Sequence, residues 1–153
     1  MKVIISGGGT GGHIYPALAI AEEIKERYKE CNLLYVGTKD SLEEELAKNA
    51  GINFQPIRVK GLPRKLNKKS LIAFKELLLG LKDAKQILKN FKPDLVIGTG
   101  GYVSAPIVFM ASRRKIPSVI HEQNAFPGIA NKLLGRFVDK VLITFVESKK
   151  HFK

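Results

Sequence analysis

The feature that most constrains this chain is a short apolar run leading straight into glycines. Lys2-Val3-Ile4-Ile5-Ser6 is followed by Gly7-Gly8-Gly9-Thr10-Gly11-Gly12-His13. A brief, unalternating apolar run reads as a strand buried on both faces, the kind found in parallel sheets covered by helices. Five glycines in the six positions from 7 to 12 allow a tight turn and close approach of the backbone to another group. Helical spacing follows over Ile14 to Lys29, with Leu18, Ala21, Ile24 and Tyr28 on one face. The same unit recurs later. The apolar run Asp94 to Gly98 enters Gly98-Thr99-Gly100-Gly101-Tyr102-Val103-Ser104, and a helix is expected over Val103 to Arg114 with Pro106 in its first turn.

The remaining segments alternate in the same way. Leu33 to Val36, Asn53 to Val59, Pro117 to His121 and Lys140 to Thr144 read as strands. Ser41-Leu42-Glu43-Glu44 has the form of a capping box, and its helix is expected to stop at Gly51. Ser70 to Phe91 reads as a long helix and Pro127 to Gly135 as a short one. Strands alternating with helices imply βαβ units. The expected fold is α/β: a doubly wound, mostly parallel sheet of about six strands, Rossmann-like, filling residues 1–153 as one domain.

Composition limits the function classes. With 44% hydrophobic and 26% charged residues the chain is ordinary globular material, neither disordered nor low-complexity. No apolar run is long enough to span a bilayer, and the amino terminus does not read as a secretory signal. The lone Cys31 cannot form an internal disulfide, so a reducing cytoplasm is expected. The formal charge of +12 is uneven: Arg58 to Lys92 holds 11 basic residues against Glu76 and Asp83, or +9. Such a field attracts phosphates, nucleic acid or an anionic membrane. Nucleic acid has the weaker case, because no recognisable binding module appears.

Ligands of open parallel sheets bind at the carboxyl ends of the strands. Three loops there are candidates. The first, Gly7 to His13, offers close backbone approach and a helix N-terminus, which together suit a phosphate. Gly7, Gly9 and Gly12 satisfy G-x-G-x-x-G, but strand two runs into Gly37-Thr38-Lys39 with no acid before Asp40. That counts against a nicotinamide dinucleotide, and His13 in place of Lys excludes a P-loop. The second loop, Gly98 to Ser104, repeats the anion cradle and suggests a diphosphate or two phosphate-bearing ligands. The third, His121-Glu122-Gln123-Asn124 with Pro127-Gly128, places four polar side chains after a buried strand. One of the four is expected simply to satisfy backbone groups. His13 is a candidate ligand or proton-transfer group. His13, His121 and His151 lack metal-site spacing, so no metal is expected.

On the long helix, Phe74, Leu77, Leu81, Ala84 and Leu88 form one stripe, expected to face the core. Leu71, Ile72 and Leu79 fall outside it among Lys75, Lys82 and Lys89. Apolar residues interleaved with lysines on an outward face suit an interfacial membrane helix. Lys60, Arg64, Lys65, Lys68 and Lys69 lie just before it.

These motifs in this order resemble one family. Gly8-Gly9-Thr10-Gly11-Gly12-His13-Ile14-Tyr15-Pro16, Gly100-Gly101-Tyr102-Val103-Ser104-Ala105-Pro106, and His121-Glu122-Gln123-Asn124 with Pro127-Gly128 and Asn131-Lys132 are similar to the MurG family of bacterial N-acetylglucosaminyltransferases. The resemblance implies the N-terminal, acceptor-binding half of a GT-B fold, with a C-terminal donor-binding domain absent from these 153 residues. It implies inverting transfer of N-acetylglucosamine from UDP-N-acetylglucosamine to lipid I, forming lipid II for peptidoglycan, without a cofactor. Thr10, Gly11, Gly12 and Asn124 then correspond to donor-side residues. Gly9, Gly100, Gly101, Tyr102 and Glu122 correspond to the acceptor diphosphate cradle. His13 corresponds to a candidate group for the acceptor hydroxyl, and Leu71, Ile72, Lys75, Leu79 and Lys82 to a membrane-docking patch. The implied location is the cytoplasmic face of the bacterial cell membrane, peripherally bound to its anionic surface. Two alternatives remain open: the acceptor subunit of a split dolichol-pathway N-acetylglucosaminyltransferase, and a non-catalytic anion- or nucleotide-binding module.

Overall fold

The computed structural model describes residues 1–61 and 68–152, with the side chains of Lys68 and Lys69 also outside the description. Its strands are β1 (Lys2–Gly7), β2 (Asn32–Gly37), β3 (Asn53–Pro56), β4 (Leu95–Gly100), β5 (Ser118–Glu122) and β6 (Lys140–Ile143). The helices are α1 (Gly11–Arg27), α2 (Leu42–Asn49), α3 (Lys68–Phe91), α4 (Gly101–Arg113) and α5 (Ile129–Leu134), followed by a 3-10 turn over Val146–His151 that the sequence pattern did not announce. All strand pairs are parallel, in the order β3-β2-β1-β4-β5-β6. This is the doubly wound, Rossmann-like sheet expected. The order reverses between β1 and β4, so a crevice opens there beyond their carboxyl ends.

Alternation along the strands divides the core in two. Val3, Ile5, Leu33, Tyr35 and Ile97 pack against Ala17 and Ala21 of α1 and Ala47 of α2. Ile4, Val36, Val96 and Ile120 pack against Ala84, Ile87 and Leu88 of α3 and Val103, Ile107, Val108 and Ala111 of α4. Both faces are covered, which is why these strands read as continuous apolar runs.

Several local expectations are corrected. β3 ends at Pro56, yet Ile57 and Val59 are still buried. The Ile57 N–H still donates to the Gly37 carbonyl at 2.8 Å, and Pro56 is tolerated because β3 lies at the sheet edge. Tyr28 is 56% exposed rather than on the packed face of α1. Pro106 is the sixth residue of α4, not in its first turn, and Pro16 holds the same position in α1. Ser41 caps α2 as expected, accepting from the Glu44 N–H at 3.3 Å.

The largest correction concerns α3. Ala73, Gly80, Ala84, Ile87 and Leu88 are its buried residues, while Phe74 is 53% exposed and Leu77 and Leu81 only half-buried. The cause is close backbone packing: a Cβ on Gly80 would lie 2.2 Å from the Arg58 carbonyl oxygen. Arg58 also pairs with Asp83 through its backbone N–H and guanidinium, and that pairing holds the Asp83 carboxyl below its ordinary range. The helix therefore turns Ala73, Gly80 and Ala84 inward where the backbones close together, and Ile87 and Leu88 beyond them. Arg64, Lys65 and the side chains of Lys68 and Lys69, read as a basic approach to the helix, lie outside the described residues.

Candidate functional site

The two glycine-rich turns meet at the reversal of strand order. The Gly8 N–H donates to the Gly100 carbonyl at 3.4 Å. A Cβ on Gly101 would come within 2.1 Å of the Gly8 carbonyl oxygen, and Gly101 has a φ of +76°. Only glycine fits there on both counts. α1 and α4 thus begin side by side, and their unpaired N–H groups and positive dipole ends share one crevice.

The glycines of the first turn divide into two kinds. Gly7 and Gly8 are packing positions, since Cβ atoms there would strike Thr99 and Glu43. Gly12 is the open one: the nearest atom to a Cβ there is Thr10 Oγ1 at 3.8 Å. Thr10 is the N-cap residue of α1, yet its side chain makes no capping hydrogen bond and is exposed. Tyr102 lies over Gly9, whose Cβ would meet the ring at 2.9 Å.

His13 lies between the two turns. Its ring stands over Gly100 and Gly101, and the Thr99 hydroxyl donates to its carbonyl at 2.7 Å. Its Nδ1 is 3.2 Å from the Thr99 carbonyl and 2.8 Å from Gln123 Nε2. A neutral imidazole serves one of these at a time. With the proton on Nδ1, donated to Thr99, Nε2 keeps its lone pair and can act as a base; with Nδ1 accepting from the Gln123 amide instead, the proton sits on Nε2.

Gln123 was legible only as one polar residue among four. Pro16 has no N–H, so the Gly12 carbonyl lacks its helical donor. Gln123 Nε2 fills that position at 2.8 Å and reaches His13 from there.

Glu122 corrects the sequence expectation. Its side chain is fully buried and accepts four hydrogen bonds: Asn124 N and Nδ2 at 2.9 Å each, Asn131 Nδ2 at 3.0 Å and Gly128 N at 3.3 Å. A buried carboxylate already saturated by N–H donors neither reaches nor attracts a diphosphate. It shapes the turn after β5 instead. Asn124 is exposed at that turn, with its amide NH2 anchored on Glu122. His121 points away from this network: its Nε2 is 3.0 Å from Thr144 Oγ1, and burial pushes its pKa down.

Glu43 stands in the sequence only as part of the capping box. It is 2% exposed at the end of β2, where Thr38 donates to its Oε1 from Oγ1 at 2.6 Å and from N at 3.3 Å. It lines a cleft of about 220 Å³ with Gly9, Thr10, Ile14, Thr38 and Tyr102. The signal was present in the capping box, whose second helical residue follows the carboxyl end of a buried strand.

On the outer face of α3, Leu71 is 74% and Ile72 49% exposed, and Lys75 and Lys82 are exposed. Leu79 is half-buried. Phe74 and Leu78, 53% and 52% exposed, join the outer face instead. Among the described residues no helix is long and apolar enough to cross a membrane, and no three His, Cys, Asp or Glu side chains gather as a metal site.

Comparison with known proteins agrees with this geometry. Residues 3–143 match the model of the glycosyltransferase family 28 N-terminal domain. A Finegoldia magna protein named UDP-N-acetylglucosamine–N-acetylmuramyl-(pentapeptide) pyrophosphoryl-undecaprenol N-acetylglucosamine transferase is 56% identical over the whole chain, which spans 41% of that protein. An Acetivibrio thermocellus protein of the same name is 55% identical, with the chain spanning 42% of it. The crystal structure of Acinetobacter baumannii MurG superposes with a TM-score of 0.81 at 33% identity, covering 96% of this chain and 42% of that one. With this match over nearly its whole length, and with the Rossmann-like sheet and paired glycine turns in place, the chain belongs to the glycosyltransferase family 28 N-terminal domain family.

Proposed function

We propose that this chain is the acceptor-binding half of an inverting N-acetylglucosaminyltransferase. In this reading N-acetylglucosamine passes from UDP-N-acetylglucosamine to lipid I, and a C-terminal domain beyond these 153 residues holds most of the donor. The observation that carries the reading is the convergence of two helix N-termini on one crevice with the His13 imidazole between them. The acceptor hydroxyl attacks the anomeric carbon, the bond from that carbon to the UDP oxygen breaks, and UDP leaves. His13 Nε2 takes the hydroxyl proton. Gly9, Gly100, Gly101 and Tyr102 cradle the acceptor diphosphate, whose charge the helix dipoles stabilise. Thr10, Gly11, Gly12 and Asn124 face the donor sugar. The reading calls on no cofactor and no nucleic acid.

The lipid acceptor gives the outer face of α3 its role. Leu71, Ile72, Phe74 and Leu78 dip into the anionic surface on the cytoplasmic side of the cell membrane, and Lys75, Lys82, Lys85 and Lys89 add on the order of 1 kcal/mol each. Leu79 stands at the border of this patch.

The test is transfer from UDP-N-acetylglucosamine to a soluble lipid I analogue. The chain is assayed alone and joined to the C-terminal region of its Finegoldia relative. The joined protein is expected to turn over at about 1 per second or more, and the chain alone to be inactive. No transfer by the joined protein overturns the reading. Comparable turnover by the chain alone overturns the need for a donor domain.

A further inference from the structure

The carboxylate of Glu43 is only half satisfied. Thr38 supplies both donors to Oε1. Oε2 has no hydrogen-bond partner among the described residues, although the side chain is 2% exposed. Oε2 is not sealed in: among the described residues the buried side-chain atoms without a partner are His121 Nδ1, Gln123 Oε1, Asn131 Oδ1 and His151 Nε2, so Oε2 stays open to the cleft and free to accept from a molecule there. Its place as the second residue of α2 accounts for the charge being tolerated, because the helix N-terminus favours an anion. It does not account for an open oxygen at a cleft. Gly8 packs against Oε1, where an added Cβ would sit 2.7 Å away, so the carboxylate is fixed directly beneath the first glycine turn.

The chemistry of the cleft selects its occupant. A phosphate beside Glu43 would be repelled, so the diphosphate belongs on the α4 side, at Gly100 to Tyr102. What suits Oε2 is a neutral O–H or N–H donor. Ile14, Leu42 and the Tyr102 ring supply apolar walls, and Gly9 and Thr10 join the cleft to the diphosphate cradle. A group one linkage from the diphosphate therefore falls within reach.

We propose that the Glu43 cleft is a subsite for the sugar–peptide head of the acceptor, with Oε2 accepting one of its hydroxyl or amide hydrogens; this rests on the acceptor-binding reading above. It also orients the acceptor, diphosphate toward α4 and head toward α2, leaving His13 between them.

Glu43→Gln is the sharp test. The glutamine keeps an oxygen for Thr38 but turns the second position from acceptor to donor. Two probes are titrated calorimetrically into the full chain: a short polyprenyl diphosphate carrying N-acetylmuramyl-pentapeptide, and the same polyprenyl diphosphate without it. The expected result is a loss of about ten-fold or more on the first probe. Binding of the second should stay within about two-fold. Equal binding of the first probe by both proteins overturns the subsite. Equal weakening of both probes also overturns it, since Glu43 then only supports the turn. If the unaltered chain binds neither probe, the acceptor-binding reading fails and takes the subsite with it. Should the variant unfold, the carboxyl ¹³C resonance of Glu43 in the unaltered chain serves instead. It is expected to move with the first probe and not the second, and no movement overturns the proposal.

Discussion

Replacing Glu122 by glutamine perturbs one atom of a closed network. The side chain is fully buried and gathers N–H groups from Asn124, Gly128 and Asn131. Glutamine can keep its oxygen toward the two Asn124 donors. Its NH2 then faces the Gly128 N–H and Asn131 Nδ2, which sat 3.3 and 3.0 Å from Oε2. Two donors lose their acceptor, Asn131 Nδ2 in the interior and the Gly128 N–H in an exposed residue where water can take over part of the loss. A hydrogen bond to a charged group contributes about 1.5–3 kcal/mol, and the two losses share one local relaxation. A total of about 3 kcal/mol follows, less than the sum of two full bonds. For a domain of this size that lowers Tm by roughly 6–12 °C. Thermal unfolding followed by circular dichroism measures the shift, and hydrogen exchange adds a local readout. The Gly128 amide should lose protection before the strands do. A Glu122→Gln protein melting within about 2 °C of the parent, with the Gly128 amide still protected, would refute the argument that this carboxylate organises the turn.

Other outcomes follow from the same geometry. His13→Ala, in the joined two-domain protein, should lower kcat far more than it raises KM, by about 10²–10⁴-fold, as a proton-handling group does; a change in KM alone would remove that role. Gly101→Ala should destabilise strongly, because its φ of +76° and the 2.1 Å approach of an added Cβ to the Gly8 carbonyl leave no relaxed alternative; a variant with the parent's urea midpoint would contradict the packing of the two turns. Leu71→Glu with Leu78→Glu should weaken binding to anionic vesicles and leave the fold intact, since both residues are more than half exposed; undiminished vesicle sedimentation would place the docking surface elsewhere. Stability should also depend on pH. Burial holds the His121 pKa below its ordinary 6.5, so the unfolded chain binds more protons than the folded one just beneath that value. Stability is therefore full above about pH 6.5 and falls as pH drops toward the folded-state pKa. His121→Gln should flatten part of that decline, and His151 is shifted the same way; an unchanged pH profile would count against a half-buried imidazole held neutral by its surroundings.

The strands were legible because burial on both faces leaves an unbroken apolar run, and the turns because glycine clusters interrupt it. Ser41 announced its helix through a bond to its own third neighbour. These are local facts, and local sequence encodes them. The packed face of α3 was legible only in part: Ala84 and Leu88 are buried as expected. Periodicity favoured the large side chains Phe74, Leu77 and Leu81, but the backbone at Gly80 closes against Arg58 and turns the small residues inward. A hydrophobic period measures how apolar a face is, not how near another backbone will come. The polar residues divide for the same reason. From sequence, Glu122 and Asn124 looked alike as side chains for a ligand, while Glu43 looked like part of a cap. Folding buries Glu122 among four donors and leaves an oxygen of Glu43 at a cleft. Pro16 made the Gly12 carbonyl an open acceptor in the sequence itself, yet its donor, Gln123, comes from 111 residues away. Whether a polar group is satisfied internally or left for a ligand depends on partners that chain distance hides, and those partners meet only when β1, β4 and β5 lie side by side.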